Sequence, residues 1–181
     1  GGVGRQEFCD TVFGGVSQSA PDEEMPALGL GSSASAKIEG FHLADWVDDE
    51  VRAEVEPRGR LAEIGVASAQ MALDDAGLGT PAEELDCACL FGLGAGRSDR
   101  MQQAYEEATD FGKRPFRGFT APDGFHESVV VDYVPDYLAH RFGFTGPVSA
   151  MSAACASGLQ TFGTGFELIR RGEVPLALVG G

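Results

Sequence analysis

One cysteine of the chain lies where an extended apolar segment gives way to a helical one. Cys155 stands in the heptapeptide Ser-Ala-Ala-Cys-Ala-Ser-Gly, residues 152–158. The residues before it, 148–154, are small and apolar, and those after it carry apolar side chains at helical spacing: Leu159, Phe162, Phe166 and Ile169. A thiol at a helix start faces unpaired N–H groups and the positive end of the helix dipole, and both favour the nucleophilic thiolate. We therefore predict that Cys155 is a catalytic nucleophile rather than a core cysteine, with small neighbours that leave room for a substrate.

The other three cysteines show no chemical pattern. Cys87 and Cys89 alternate along a predicted strand, so their side chains take opposite faces and are expected to pack in the core. Cys9 lies in an apolar turn of helix with no reactive neighbour. The spacing of the four cysteines predicts neither a metal site nor a disulfide framework, which makes a reducing cytoplasm the expected compartment.

Three histidines are available as a base, and none lies in a recognisable catalytic pattern. His140 is expected to cap the carboxyl end of its helix, and His42 has no context. His126, in a predicted loop, is kept as a weak candidate. The glycines of residues 92–96 follow a predicted strand, but their spacing does not match a dinucleotide-binding loop, and close backbone packing or substrate approach is expected there.

Composition narrows the class of protein. The chain has 181 residues, 43% of them hydrophobic, which is enough for one globular domain with a sizeable core. A net charge of −15 and the lack of a basic tract argue against nucleic-acid binding. No apolar stretch approaches the length of a membrane span, and no signal peptide is visible.

Strands and helices are expected to alternate along most of the chain. Residues 14–36 are predicted as loop, and residues 43–58 as a charged, solvated helical surface or an irregular excursion. Helices are predicted over 61–76, 100–109, 129–142 and 156–171, and strands over 86–91, 148–154 and 174–179. Leu61, Ile64, Ala67/Ser68, Met71 and Ala72 mark one face of the first of these helices. The alternation predicts βαβ units and a largely parallel sheet covered by helices.

Several motifs together resemble the β-ketoacyl synthases, the condensing enzymes of fatty-acid and polyketide synthesis. The residues around Cys155, the Gly146-Pro147 step before them, Ile169 to Gly172 and Leu178 to Gly181 occur in that family's order and spacing. Ala72 to Leu78, Phe142 to Phe144 and Phe8 to Ser17 extend the likeness over nearly the whole chain.

The resemblance implies a thiolase-like fold, in which two similar α/β halves form an αβαβα sandwich, as a homodimer or a ketosynthase heterodimer. This chain is similar to the first half and is expected to be truncated at both ends, as a fragment or as part of a split enzyme. The family's two catalytic histidines and its lysine belong to the second half. The strand before Cys155 pairs across the dimer axis in the family.

The resemblance also implies a mechanism. Cys155 accepts an acyl group from an acyl carrier protein, and a malonyl-type extender is decarboxylated and attacks the resulting thioester. The N–H of Cys155 supplies one oxyanion donor. No metal or organic cofactor is implied beyond the phosphopantetheine arm of the carrier.

Carrier proteins of this pathway are acidic, so the resemblance predicts a locally basic docking face. Two small groups are candidates, against the alternative that they are ordinary surface charge: Arg52, Arg58 and Arg60, and then Lys113, Arg114 and Arg117.

Three other readings stay open. Cys155 to Gln160 also resembles thiolases, which act on coenzyme A thioesters, although the Gly-Pro step eight residues before Cys155 favours a synthase. A non-catalytic ketosynthase partner subunit typically lacks the cysteine. A binding module without chemistry would leave Cys155 unreactive.

Overall fold

A computed structural model describes residues 3–79, 83–94, 98–118, 120–121, 125 and 129–181, with the backbone alone for residues 98 and 99. The chain divides into two compact units, residues 1–45 and residues 46–181, called here the N-terminal and the C-terminal unit. The composition of the sequence does not predict this division.

The N-terminal unit is built from short elements. They are α1 (Gly4–Phe13), β1 (Ala20–Pro21), α2 (Glu24–Ala27), β2 (Ala34–Ser35) and a 3-10 turn (Leu43–Asp45). β1 and β2 pair antiparallel, so the segment predicted as loop contains a small hairpin. The carboxylate of Asp22 holds this hairpin, because it accepts the Ser35 hydroxyl at 2.6 Å and pairs with the Lys37 ammonium at 3.1 Å.

The C-terminal unit carries the predicted alternation of helices and strands. Its elements are α3 (Asp49–Val55), a 3-10 turn (Glu56–Arg58), α4 (Arg60–Asp75), β3 (Cys87–Gly92), α5 (Ser98–Thr109), α6 (Tyr133–Phe142), β4 (Val148–Met151), a 3-10 turn (Ala154–Ala156), α7 (Ser157–Arg170) and β5 (Leu176–Gly180).

β3 forms the centre of a parallel three-stranded sheet in the order β4-β3-β5. In its register, Cys89 lies opposite Val148 on one side and Leu178 on the other. α7 packs on β3 and β5, and α6 packs on β3 and β4. The predicted α/β architecture with a parallel sheet covered by helices is therefore confirmed.

Both cysteines of β3 are buried, as expected for a strand covered on its two faces. Burial raises the pKa of Cys89 to about 12 and raises the pKa of Cys87 as well. Both therefore stay protonated thiols and act as small core residues.

α3 lies within the charged segment 43–58 that is predicted as a solvated helical surface. The Asp48 side chain caps it by accepting the Val51 N–H at 2.9 Å. Val51 and Val55 are buried under the charged residues, so the segment is an amphipathic helix rather than an irregular excursion.

α4 buries only one residue of the face predicted for it, Ala67, and packs mainly through a neighbouring face. Its buried residues are Ala62, Gly65, Val66, Ala67, Ala69 and Leu73. A Cβ at Gly65 would lie 3.0 Å from Val134, so close approach to α6 selects the small side of the helix. Leu61, Ile64 and Ala72 from the predicted face instead line a groove of about 300 Å³ beside β3 and β5.

α6 begins at Tyr133 rather than at Val129, which explains how it tolerates a proline. Pro135 is its third residue, where a backbone N–H has no partner inside the helix, so no kink is needed. Gly143 ends the helix with a left-handed φ of 66°, while His140 is exposed in the last turn.

None of the described helices combines the length and the apolar character that a membrane span requires.

Candidate functional site

Cys155 lies in a sharp turn between β4 and α7. The strand ends at Met151, and the 3-10 turn Ala154–Ala156 leads directly into the helix. Ala154, the residue before the cysteine, has a φ of 50°, a left-handed conformation that disfavours any side chain with a Cβ. The Cys155 thiol is free and the residue is exposed. The backbone thus presents the sulfur to solvent at the start of the helix.

The Ser157 hydroxyl closes this turn. It accepts a hydrogen bond from the Ala153 N–H at 2.9 Å and donates one to the Ala154 carbonyl at 2.7 Å. Ser157 is only 4% exposed, so both bonds lie in a protected environment. A single buried side chain therefore bridges the residues that precede Cys155.

Close backbone contacts position the start of α7 on the sheet. A Cβ at Gly92, the last residue of β3, would come within 2.5 Å of the Ser157 carbonyl carbon. A Cβ at Gly181 would collide with the Cα of Gly158. The absence of side chains lets the helix start rest against the carboxyl ends of β3 and β5.

Thr161 fastens the first turn of α7 to β5. Its hydroxyl is fully buried and lies 2.7 Å from the Gly158 carbonyl and 3.1 Å from the Gly180 carbonyl. The hydroxyl carries one proton, so it donates to one carbonyl at a time or to both weakly. The bond to Gly180 links the helix that follows Cys155 to the sheet.

The predicted candidates for a base do not gather around Cys155. The Cys155 thiol makes no hydrogen bond to any described residue, and His140 is exposed on α6. His42 is exposed in the N-terminal unit, and His126 lies outside the described residues. The described residues also contain no cluster of side chains able to hold a metal ion. A nucleophile is thus present without a described partner for proton transfer.

The first predicted basic group is largely paired within the chain. Arg52 lies 3.0 Å from Asp49 and 3.7 Å from Glu56. Arg58 lies 3.6 Å from Glu54 and 4.7 Å above the ring of Tyr137. Arg60 pairs with Glu63 at 3.6 Å. These acidic partners offset much of the positive charge of Arg52, Arg58 and Arg60.

The second predicted basic group keeps more of its charge. Lys113 lies 3.7 Å from Asp110, whereas among the described residues the Arg114 guanidinium donates to the neutral Glu107 carbonyl at 3.1 Å and to no carboxylate. No ion pair joins Arg117 to a described residue. Arg114 and Arg117 line an open cavity of about 620 Å³ together with Glu107 and Thr120.

Sequence reasoning missed the residues that shape the turn. The sequence pattern identifies Ser157 only as a small neighbour of Cys155 and assigns no role to Thr161. The signal available in the sequence was a hydroxyl side chain on the sheet-facing side of α7, at Ser157 and Thr161, because a buried hydroxyl needs a hydrogen-bond partner. The close packing expected of the glycines in 92–96 is found at Gly92, while Ala95 and Gly96 lie outside the described residues.

Comparisons with known proteins agree with one another. A family model described as the beta-ketoacyl synthase N-terminal domain matches residues 1–181. A polyketide beta-ketoacyl synthase of Streptomyces halstedii is 26% identical over 182 positions, which cover 99% of this chain and 42% of that protein. The 3-oxoacyl-[acyl-carrier-protein] synthase 2 of Staphylococcus aureus is 24% identical over 148 positions, 81% of this chain and 35% of that protein.

Solved structures show the same fold. A β-ketoacyl synthase from Burkholderia phymatum STM815 superposes with a TM-score of 0.72 at 20% identity, covering 93% of this chain and 40% of that one. A type II polyketide ketosynthase, solved with its acyl-carrier protein and bound to the hexaketide, gives 0.69 at 21% identity, covering 94% and 39%.

The chain spans about two fifths of the length of these relatives and neighbours. The match to the family model covers residues 1–181. This match favours the β-ketoacyl synthase family over the thiolases. The chain therefore belongs to the β-ketoacyl synthase family and corresponds to its N-terminal domain.

Proposed function

We propose that the protein containing this chain is a β-ketoacyl-[acyl carrier protein] synthase of fatty-acid or polyketide synthesis, and that Cys155 is its acyl-accepting nucleophile. The observation that supports this most directly is the exposed thiol of Cys155 at the sharp turn into α7, in a chain of this family. A free, exposed thiol also fits a reducing compartment such as the cytoplasm.

The proposed reaction has two steps. In the first, the Cys155 thiolate attacks the carbonyl carbon of a carrier-bound thioester. The new carbon–sulfur bond to Cys155 forms, the bond to the carrier sulfur breaks, and the carrier leaves as a thiolate that takes up the proton released by the Cys155 thiol. The Cys155 N–H stabilises the oxyanion as one of two donors, the second coming from the other half of the protein.

In the second step, a malonyl-type extender loses carbon dioxide, and its enolate carbon attacks the acyl carbon on Cys155. The bond to Cys155 breaks, Cys155 leaves as the thiolate, and the 3-oxoacyl product stays on the extender's carrier. Family resemblance assigns help in the decarboxylation to histidines of the second half. This chain alone is therefore proposed to take up an acyl group without completing the condensation.

The test is acylation of the complete protein by an acyl-[acyl carrier protein] thioester, followed by intact mass and peptide mapping. We expect one acyl group on Cys155, and no adduct after Cys155→Ala. Cys9→Ala is the matched control, because Cys9 is the other cysteine that is not buried, and it should leave acylation unchanged. An unmodified Cys155 would favour the non-catalytic subunit or the binding module.

We further propose that Lys113, Arg114 and Arg117 belong to the docking face for the acidic carrier. Arg114 and Arg117 support this because neither forms an ion pair with a described acidic side chain, although Glu107 lines the same cavity, in contrast to the paired Arg52, Arg58 and Arg60. The stacked rings of Tyr105 and Phe116, 6.2 Å apart, add partly exposed apolar surface beside the basic residues. Homodimerisation or pairing with a second ketosynthase chain remains part of the proposal.

Charge reversal tests the docking face. Arg114→Glu with Arg117→Glu is expected to weaken carrier binding about 10-fold or more at low salt, mainly through slower association. Arg52→Glu is the matched control and should change affinity less, since it leaves Arg114 and Arg117 intact. Unchanged affinity after reversal of Lys113, Arg114 and Arg117 would exclude this group.

A further inference from the structure

The Ser157 hydroxyl holds the peptide group that joins Ala154 to Cys155. It donates its proton to the Ala154 carbonyl oxygen at 2.7 Å, and its own oxygen accepts the Ala153 N–H at 2.9 Å. The Ser157 hydroxyl thus donates one hydrogen bond and accepts one, both with the two residues that precede Cys155. Because Ser157 is buried, water does not compete freely for these bonds.

The orientation of this peptide group also decides where the Cys155 N–H points. A trans peptide is planar, and its C=O and N–H point in opposite directions. No cis peptide bond occurs in the described chain. Holding the Ala154 carbonyl toward Ser157 therefore directs the Cys155 N–H to the opposite side of the turn.

The Ser157 hydroxyl restrains this turn together with the backbone bond from the Ala156 N–H to the Ala153 carbonyl at 3.0 Å. Ala154 has a φ of 50°, and an alanine in the left-handed region returns readily to negative φ when nothing opposes it. That change would rotate the peptide and carry the Cys155 side chain with it. The two hydrogen bonds of Ser157 oppose this change.

We propose that Ser157 is a positioning residue for the reaction at Cys155: its hydroxyl holds the Ala154–Cys155 peptide so that the Cys155 thiol and the Cys155 N–H address the same acyl carbonyl. This inference rests on the proposed acyl transfer to Cys155. Ser157 itself does not touch the substrate in this role.

The kinetic test compares variants of the complete protein in single-turnover acylation over a range of acyl-carrier concentrations. Ser157→Ala is expected to lower the saturating rate about 10- to 100-fold, since small misplacements of a reacting group cost that much. The half-saturating concentration should stay unchanged, because the docking surface is untouched. A saturating rate within about twofold of the wild type would overturn the inference.

A second substitution separates positioning from a general loss of packing. Glycine adopts positive φ without steric cost, so Ala154→Gly in the Ser157→Ala background should recover part of the lost rate. If Ser157→Ala fails to fold, the double variant Ala154→Gly, Ser157→Ala is compared with Ala154→Gly alone. The double variant should acylate more slowly, because it still lacks the hydroxyl, and equal rates for the two variants would overturn the inference. Ser152→Ala is the matched control, since Ser152 is exposed and its hydroxyl lies 3.5 Å from the Gly94 carbonyl.

A readout without acyl transfer keeps the two proposals distinguishable. Amide hydrogen exchange of the segment 151–158 should accelerate in Ser157→Ala and slow again when Ala154→Gly is added. If wild-type Cys155 takes up no acyl group, the proposed function fails, and exchange alone then decides the positioning inference. Unchanged exchange in Ser157→Ala would overturn it.

Discussion

At the scale of single residues, Cys155 owes its exposure to its neighbours rather than to contacts of its own. The left-handed Ala154, the bridging hydroxyl of Ser157 and the bare Cα of Gly92 together define the turn that carries the thiol. Each of the three acts on the backbone. Substitution at a residue that never touches a substrate can therefore displace the sulfur.

Gly92→Ala is expected to destabilise the protein and to impair acylation of Cys155. The new Cβ would lie 2.5 Å from the Ser157 carbonyl carbon and 2.6 Å from the Gly158 nitrogen, and backbone atoms cannot move aside as a flexible side chain can. Overpacking of this kind costs about 1–3 kcal/mol. The free energy of unfolding in urea and the acylation rate measure the two effects.

Gly94→Ala is the control for that experiment, because a Cβ at Gly94 meets nothing within 4 Å. Its stability and acylation rate should stay close to those of the wild type. Equal stability of the two variants would contradict the close contact between β3 and the start of α7.

At the scale of elements, α7 shows why a pattern can predict a helix and still leave its environment open. The apolar spacing correctly predicts a helix, found at Ser157–Arg170. The side of α7 that packs on the sheet is small and polar, with Ser157, Thr161 and Gly165 buried, because the helix axis lies close to β5. The large apolar residues of the spacing point outward: Leu159 is 80% exposed, Phe162 65%, Phe166 63% and Ile169 45%.

α4 behaves in the same way. A close contact between elements requires small side chains at the buried face, whereas the sequence periodicity points to the face that carries the large apolar residues. The fold class and the location of Cys155 could be predicted because they depend on the alternation of elements along the chain. The bond from Thr161 to the Gly180 carbonyl could not, because it depends on a tertiary distance between α7 and β5. The Ser157 bonds are local, but they depend on the left-handed backbone of Ala154, which the residue types of this segment do not encode.

The hairpin of the N-terminal unit makes a pH-dependent prediction. Hydrogen bonds from the Ser35 hydroxyl and from Lys37 lower the pKa of Asp22 from 3.8 to about 2. A lowered carboxyl pKa stabilises the folded state above the unfolded value of 3.8, and this stabilisation is lost as the pH falls toward 2. Amide chemical shifts of β1 and β2 should therefore change only in that acidic range.

The matched variants for this prediction are Asp22→Asn and Glu23→Gln. Asp22→Asn should abolish the acidic transition of the hairpin, because the carboxylate that accepts the Ser35 hydroxyl is lost, while Glu24 keeps its own ion pair with Lys37 at 2.8 Å. Glu23→Gln changes an exposed neighbour and should preserve the transition. A transition that persists in Asp22→Asn would show that another group controls it.

At the scale of the whole molecule, the outward face of α7 bears on how a longer protein is built. In an αβαβα sandwich the middle helices contact a sheet on each side, so both faces of such a helix must suit burial. α7 packs one face on β3 and β5 and presents Leu159, Phe162, Phe166 and Ile169 on the other. We therefore expect the second half of the protein to cover this face.

Phe162→Asp combined with Phe166→Asp should then have opposite effects in two contexts. In the present chain alone, both side chains are exposed, so a charge there should leave stability nearly unchanged and reduce self-association. In the complete protein, the same carboxylates would be buried without a partner, and stability should fall by several kcal/mol, with loss of acylation. Gln160→Asp adds a charge at an exposed position of the same helix and controls for charge alone. Melting curves and light scattering of the present chain and of the complete protein measure these effects. Unchanged stability of the complete protein would mean that α7 is not in the middle layer.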